Sequence, residues 1–239
     1  MSILIIIPTY NERENISPLT EDLLNLDFHK HILIIDDNSS DGTRSVIEKL
    51  ILKYPGKIKT IYRPQKQGLG SAYIQGFRYA QENGVKWVVT MDADLSHSPL
   101  YIEKMMEKAT DEEFDLVIGS RYISGGGIEN WPLYRKFLSR GANIFAHFFL
   151  RLPVHDYTSG YRFYKLETIS RLSLDEIFSD GYSFLVEIVY RGYKSGWNIG
   201  EIPIIFTDRV AGKSKISKIE IFKAILTIFR LKYEYFMMR

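Results

Sequence analysis

"VVTMDADLSH", residues 88–97, decides how this chain is to be read. A run of apolar and β-branched residues of strand length ends in two carboxylates one residue apart. Read as residues i and i+2 at a strand end, Asp92 and Asp94 share one face and repel each other across a few ångströms. The pattern therefore calls for something positive between them.

Outward from this stretch the same grammar repeats. Residues 3–7, 31–36, 58–62, 87–92 and 115–120 form short apolar runs bounded by polar turns and are expected to be strands buried on both faces. Residues 14–26, 43–54, 70–83 and 100–109 carry helical spacing, as in Leu19, Leu23, Leu24 and Leu26. Asp41 or Thr43 can cap the second helix, and Pro99 suits the first turn of the fourth. The alternation predicts an α/β fold with a mostly parallel, Rossmann-like sheet flanked by helices. In such sheets ligands collect at the carboxyl ends of strands. Pro8-Thr9-Tyr10, Asp36-Asp37-Asn38, Asp92-Ala93-Asp94 and Ser120-Arg121 all fall there.

The chain has 239 residues, enough for one sizeable core, and nothing in its middle reads as a linker. Thirty-one Lys and Arg against 29 acids leave a net charge of +2, which gives no reason to invoke nucleic acid. With no cysteine there is no disulfide framework, thiolate nucleophile or Cys-ligated zinc. The absence of cysteine fits a reducing compartment, so a cytoplasmic location is the default. The first run lacks a basic leader and stops at Pro8, so it reads as a buried strand. The longest uncharged greasy stretch, residues 141–150, is far short of the roughly 20 residues that span a bilayer.

The second half is less regular. Residues 124–132 and 207–215 read as mobile, glycine-bearing loops, while "YRFYK" and "IGEIPIIFT" read as further strands. Two late segments, 137–152 and 217–239, are unusually fatty for surface helices. The first carries Phe145, Phe148 and Phe149 beside Arg135, Lys136, Arg140 and Arg151, which suits a membrane interface, although core packing or a dimer seam would bury the same stripe. "GLGSAY" at 68–73 fails the dinucleotide fingerprint at Tyr73 and reads as a tight turn with Gly70 opening a helix.

Three chemistries compete for Asp92 and Asp94: a general acid and base pair, a divalent-cation site, or turn residues. A hydrolase dyad needs roughly 5 to 9 Å between carboxyls with a sugar cleft between them, which near neighbours on one strand rarely provide. Metal binding fits the spacing better. Oxygen-only ligands favour Mg²⁺ or Mn²⁺ with substrate phosphates completing the sphere, and Arg121, Arg135, Arg209, Lys213 and Lys215 offer matching cations.

"IIPTYNERENI", "IIDDNSSDGT", "GLGSAY", "MDADLSHSP", "GSRY" and "FTDRVAGKSK" occur in the order seen in family 2 glycosyltransferases of the GT-A fold. Among these the chain resembles the dolichol-phosphate mannose synthases that lack membrane-spanning helices, from Ile3 to about Lys215. The resemblance implies that Pro8, Tyr10, Glu12, Ile35 and Asp37 hold the nucleoside of the donor. It implies that Asp92, the Ala93 backbone and Asp94 meet the diphosphate through Mg²⁺ or Mn²⁺, and that Arg121, Arg209 and Lys215 contact its phosphates. Arg121, Arg135 and Ser139 would receive the lipid phosphate and, with Asp94, form the catalytic set. Several relatives have Gln where this chain has Ser96, so water would fill a ligand position there.

The implied activity is inverting transfer of mannose from GDP-mannose to dolichol or polyprenol phosphate at the cytosolic face of a membrane, with a small membrane-anchoring subunit as a possible partner. On this reading residues 1–123 bind the nucleotide sugar, 124–216 the acceptor, and 217–239 form an amphipathic interfacial helix. A phosphate monoester with a second pKa near 6 is already anionic, so no catalytic base is needed, and His97 takes a supporting role in its loop. The alternatives are UDP-glucose or another donor, a glycan hydroxyl acceptor, or a non-catalytic nucleotide-sugar-binding subunit.

Overall fold

The computed structural model describes residues 2–208 and 218–237. In chain order its elements are β1 (Ile3–Thr9), α1 (Ile16–Leu24), β2 (Lys30–Asp36), α2 (Thr43–Lys53), β3 (Ile58–Tyr62), α3 (Leu69–Glu82), β4 (Trp87–Thr90), α4 (Tyr101–Asp111), β5 (Leu116–Ser120) and β6 (Gly127–Glu129). There follow α5 (Leu133–Leu150), β7 (Arg162–Lys165), the single turn α6 (Leu166–Ile169), α7 (Tyr182–Lys194), β8 (Ile199–Pro203), β9 (Ile205–Thr207) and α8 (Lys218–Met237). Seven strands form one sheet in the order β3-β2-β1-β4-β7-β5-β8, and β6 and β9 pair as a separate two-stranded parallel ribbon.

The isoleucine-rich β1 explains the layering. Successive side chains of a strand point to opposite faces. Ile3, Ile5 and Ile7 join the core under α1, α2 and α4 with Leu19, Ile47 and Met105. Leu4 and Ile6 join the core on the other face, where α3, α5, α7 and α8 contribute Phe77, Leu150, Phe184 and Ile228. Gly76 lets α3 lie close on the sheet, since a Cβ there would come within 2.6 Å of Ile6.

β1 is parallel to both β2 (Thr9↔Asp36) and β4 (Ile6↔Thr90). The chain moves one way from β1 to β2 and β3, then the other way to β4, so the strand order reverses between β1 and β4 and opens a crevice there. β7 alone runs antiparallel, paired to both β4 and β5. Its amino end therefore arrives at the sheet edge where the parallel strands end.

Four expectations change. β3 lies at the sheet edge and is half-exposed along most of its length, so it is not buried on both faces. Residues 124–132 are not simply loop, because β6 lies within them and pairs with β9. β4 stops at Thr90, so Asp92 and Asp94 sit in the following loop, where Leu95 takes φ +63° and turns the chain. The first fatty helix begins earlier than expected, at Leu133, and ends at Leu150.

Candidate active site

Of the sequence-assigned residues within the described parts of the chain, Pro8, Tyr10, Glu12, Asp37, Asp92, Ala93, Asp94 and Arg121 lie at or just after the carboxyl ends of β1, β2, β4 and β5, Ile35 lies within β2, and Arg135 and Ser139 lie on α5. Arg209, Lys213 and Lys215 lie outside the described residues. The site has three walls, set by the loops after β1 and β2, the loop after β4, and the loops around β5, α5 and the start of β7.

In the first wall two loops are tied into one unit. Thr9 Oγ1 donates to Asp36 Oδ1 (3.1 Å), which also receives the Ser39 hydroxyl (2.6 Å). Asn11 N–H donates to Ser39 Oγ (2.9 Å), and Glu12 N–H donates to Thr43 Oγ1 (2.9 Å). The Glu12 carboxylate accepts from Asn15 (2.8 Å), while Lys66 stands 4.0 Å from the centre of the Tyr10 ring. Pro8 is half-buried at the top of β1. Two of the assigned residues here are buried. Ile35 is wholly buried in the core, so only its backbone faces a ligand, and its carbonyl already accepts from Thr9 Oγ1 (3.4 Å). Asp37 is buried and occupied: it accepts from the N–H groups of Gln67 (3.0 Å) and Gly68 (3.1 Å). Arg63 Nε lies 2.8 Å from Asp37 Oδ1 with its N–H off line, an ion pair rather than a hydrogen bond. Asp37 thus shapes the 64–68 turn, with each of its oxygens holding one N–H of that turn.

The second wall carries the carboxylates. Asp94 is buried, and its Oδ1 accepts from the Ser96 N–H (3.2 Å) and the Ser96 hydroxyl. Ser96 therefore orients Asp94. The Asp92 N–H donates to His97 Nδ1 (3.2 Å), which places the imidazole proton on Nε2. His97 is buried between Tyr161, stacked at 4.8 Å, and Phe206, edge-on at 5.3 Å. Burial lowers its pKa from 6.5 to about 4, against the pull of Asp94, so it is a neutral support for the loop. Asp92 is half-buried and Ala93 buried. Among the described residues no cluster of three or more His, Asp or Glu forms a complete metal cage. Two adjacent carboxylates alone fit a hard cation whose remaining positions come from water and phosphate oxygens.

In the third wall Arg121 was expected to offer its fork to phosphates, but most of that fork is taken. Nε donates to Asp156 Oδ2 (2.7 Å), and Nη2 donates to Asp156 Oδ1 (2.8 Å) and Thr158 Oγ1 (2.8 Å). Asp156 also accepts the Arg121 N–H (3.0 Å), and its own N–H is held by Glu201 (3.0 Å). Burial alone would push the Asp156 carboxyl up; the Arg121 charge and hydrogen bonds outweigh this and hold it below the usual range. Only Nη1 of Arg121 remains uncommitted to this pair.

The Arg135 guanidinium lies 3.7 Å from the centre of the Trp131 ring and donates to Asp208 (3.2 Å). Arg121 lies 5.9 Å from that same ring, so Trp131 joins the two cations. Ser139 Oγ accepts from Tyr122 (2.7 Å). Asn143 links α5 to the 156–158 loop, donating to Thr158 (3.1 Å) and accepting the Tyr157 N–H (2.8 Å). Arg121, Arg135 and Ser139 are thereby brought together.

Sequence reasoning missed Asp156, Thr158, Trp131 and Asn143. The available signal was the polar run "DYTSG", residues 156–160, ahead of the "YRFYK" strand. It carried no weight while the direction of that strand was unassigned, because the start of a strand parallel to the rest lies at the opposite edge.

Comparison with known proteins agrees with this architecture. The chain is 40% identical over 225 residues to the polyprenol monophosphomannose synthase of Mycolicibacterium smegmatis, covering 94% of this chain and 84% of the relative. It is 38% identical over 230 residues to the undecaprenyl-phosphate mannosyltransferase of Micrococcus luteus, covering 96% and 93%. Among solved structures it superposes on glucosyl-3-phosphoglycerate synthase from Mycobacterium tuberculosis, in complex with Mn²⁺, UDP and glucosyl-3-phosphoglycerate, with a TM-score of 0.70 at 16% identity over 96% of this chain and 79% of that one. It superposes also on a mannosyltransferase from Pyrobaculum calidifontis in complex with GDP-Man and Mn²⁺, TM-score 0.61 at 16% identity, over 89% of this chain and 58% of that one. The fold is of the GT-A type. Residues 4–172 match the profile of glycosyl transferase family 2, and the chain belongs to that family as a glycosyltransferase.

Proposed function

We propose that this chain transfers mannose, with inversion, from GDP-mannose to a polyprenol or dolichol phosphate at a membrane surface. One observation carries the reading: the carboxylate pair at the strand-order reversal shares its sheet edge with Arg121, Arg135 and Ser139, and the helix bearing the last two exposes an apolar face. The similarity to two polyprenyl-phosphate mannosyltransferases supports this donor and acceptor. Residues 1–123 serve the donor, 124–216 the acceptor, and 217–239 with α5 the membrane.

Asp92 and Asp94 would hold Mg²⁺ or Mn²⁺, which when bound neutralises the diphosphate that departs from the sugar. Ser96 and His97 keep the two carboxylates in place. Pro8, Tyr10 and Glu12 line the nucleoside side, with Arg209 and Lys215 as further candidate phosphate contacts. Arg135, Ser139 and Arg121 Nη1 receive the acceptor phosphate, an anion whose oxygen attacks the anomeric carbon without a protein base. The bond from that carbon to the departing diphosphate breaks on the opposite side, which gives a β-linked product from an α-linked donor.

Along α5, Leu133, Phe137, Ile144 and Phe148 are exposed, and along α8, Phe222, Leu226, Phe229, Tyr233 and Met237. The two helices meet through Phe149 and Phe229 at 5.3 Å. No helix among the described residues is long and apolar enough to cross a membrane. This surface suits an interface-lying pair of helices, either directly in a cytosolic leaflet or against a small membrane-anchoring subunit.

The test is incubation of the chain with GDP-mannose, Mn²⁺ and polyprenol phosphate. Lipid-linked mannose is expected, with production lost in Asp94→Asn. Nucleotide binding without turnover would favour a non-catalytic subunit, and turnover only with UDP-glucose would change the donor.

A further inference from the structure

Tyr73 on α3 is one of the largest wholly buried side chains, and the chemistry above does not use it. Its ring stacks on Phe184 of α7 at 6.0 Å. Its hydroxyl is buried with no hydrogen-bond partner. Buried phenol hydroxyls usually find one, because stranding a polar group away from water costs stability. A phenylalanine would fill the same space without that cost.

The orphaned hydroxyl and the Asp92 carboxylate both border Gly160. A Cβ placed on Gly160 would stand 3.4 Å from Asp92 Oδ1, 3.5 Å from the Tyr73 oxygen and 3.9 Å from Leu185. Gly160 is held in place by the Thr90 hydroxyl, which donates to its carbonyl at 2.8 Å. A carboxylate that ligates a cation through one oxygen is normally steadied by a hydrogen bond from a second group. Ser96 does this for Asp94.

We infer that Tyr73 is a positioning residue for Asp92, its hydroxyl donating to that carboxylate as it turns toward a divalent cation across the gap that Gly160 leaves open. The inference rests on the reading of Asp92 and Asp94 as the metal-holding pair. Partners of this kind typically change metal affinity by about 10- to 100-fold.

The test uses the full chain, with Mn²⁺ binding read by electron paramagnetic resonance at fixed GDP and folding read by thermal melting. Tyr73→Phe should weaken Mn²⁺ binding about tenfold with the melting temperature unchanged or raised. A core aromatic with no such role would show the same melting behaviour and wild-type Mn²⁺ affinity, and that result overturns the inference. Should Tyr73→Phe fail to fold, Gly160→Ala carries the test: it keeps the phenol, fits at ordinary contact distance, and should weaken Mn²⁺ binding by standing between the two oxygens. Asp94→Asn separates the two levels. Mn²⁺ binding lost there but unchanged in Tyr73→Phe sinks only the role of Tyr73, whereas binding retained in Asp94→Asn sinks the metal reading itself.

Discussion

Asp156 brings a negative charge into a fully buried place, and it is tolerated there because Arg121 meets it with two parallel N–H groups. Removing one partner of such a pair strands the other. Asp156→Ala is expected to cost about 3–5 kcal/mol in urea denaturation, because the buried Arg121 guanidinium loses its counter-charge. The double variant Arg121→Met, Asp156→Leu should lose far less, since it removes both charges together. Equal losses in the two variants would mean that packing, not pairing, holds this corner. Residues at this scale differ in legibility. Asp92 and Asp94 declare themselves by lying two apart, whereas Arg121 and Asp156 are 35 positions apart and no local pattern couples them. Asp37 is legible in part: its place at a strand end shows in the sequence, and only the fold shows that it also ties down the 64–68 turn and pairs with Arg63.

At the scale of elements, α5 shows what periodicity can and cannot say. Its apolar and basic residues were evident in the sequence, and so were two ways of satisfying them, core or interface. The structure divides the helix: Asn143, Ala146 and Leu150 face inward, and Leu133, Phe137, Ile144 and Phe148 face outward. Phe137→Ser with Phe148→Ser should abolish co-flotation of the chain with anionic vesicles and leave GDP-mannose binding intact. Because both side chains are exposed, the change in unfolding free energy should stay within about 0.5 kcal/mol per site. Undiminished flotation would remove α5 from the membrane-facing surface. The short β6 escaped notice for a different reason. Three residues in a glycine-rich stretch carry no alternation to read, and the strand exists only because β9, far along the chain, supplies its hydrogen-bond partners.

For the whole molecule, one buried imidazole adds acid sensitivity to that of the lowered Asp156 and Asp41 carboxyls. His97 has a folded-state pKa of about 4 against an ordinary 6.5, lowered by burial. A depressed value means the unfolded chain binds the proton first, so the contribution is complete above about pH 6.5 and is lost as pH falls toward 4. Between pH 7 and 4 the metal-free protein should lose on the order of 3 kcal/mol through this group. His97→Gln should show a correspondingly shallower acid dependence in denaturant titrations. Identical pH profiles would mean that the ring reaches water when charged.

The alternation of strands and helices, the strand ends that would carry polar groups, and the acidic pair between them were determined by the sequence alone. Each rests on neighbours within a few positions: backbone periodicity dictates the elements, and the acidic pair shows by its spacing of two, although the loop after β4 rather than strand alternation sets its geometry. The tertiary structure alone decided that β7 inserts antiparallel between β4 and β5. That reversal carries Asp156, Thr158 and Gly160 to the working edge, commits Arg121, and brings Gly160 between Tyr73 and Asp92. Strand direction in the middle of a sheet is settled by which long-range hydrogen-bond ladders and core contacts can be satisfied together, and no local stretch of the chain holds that information.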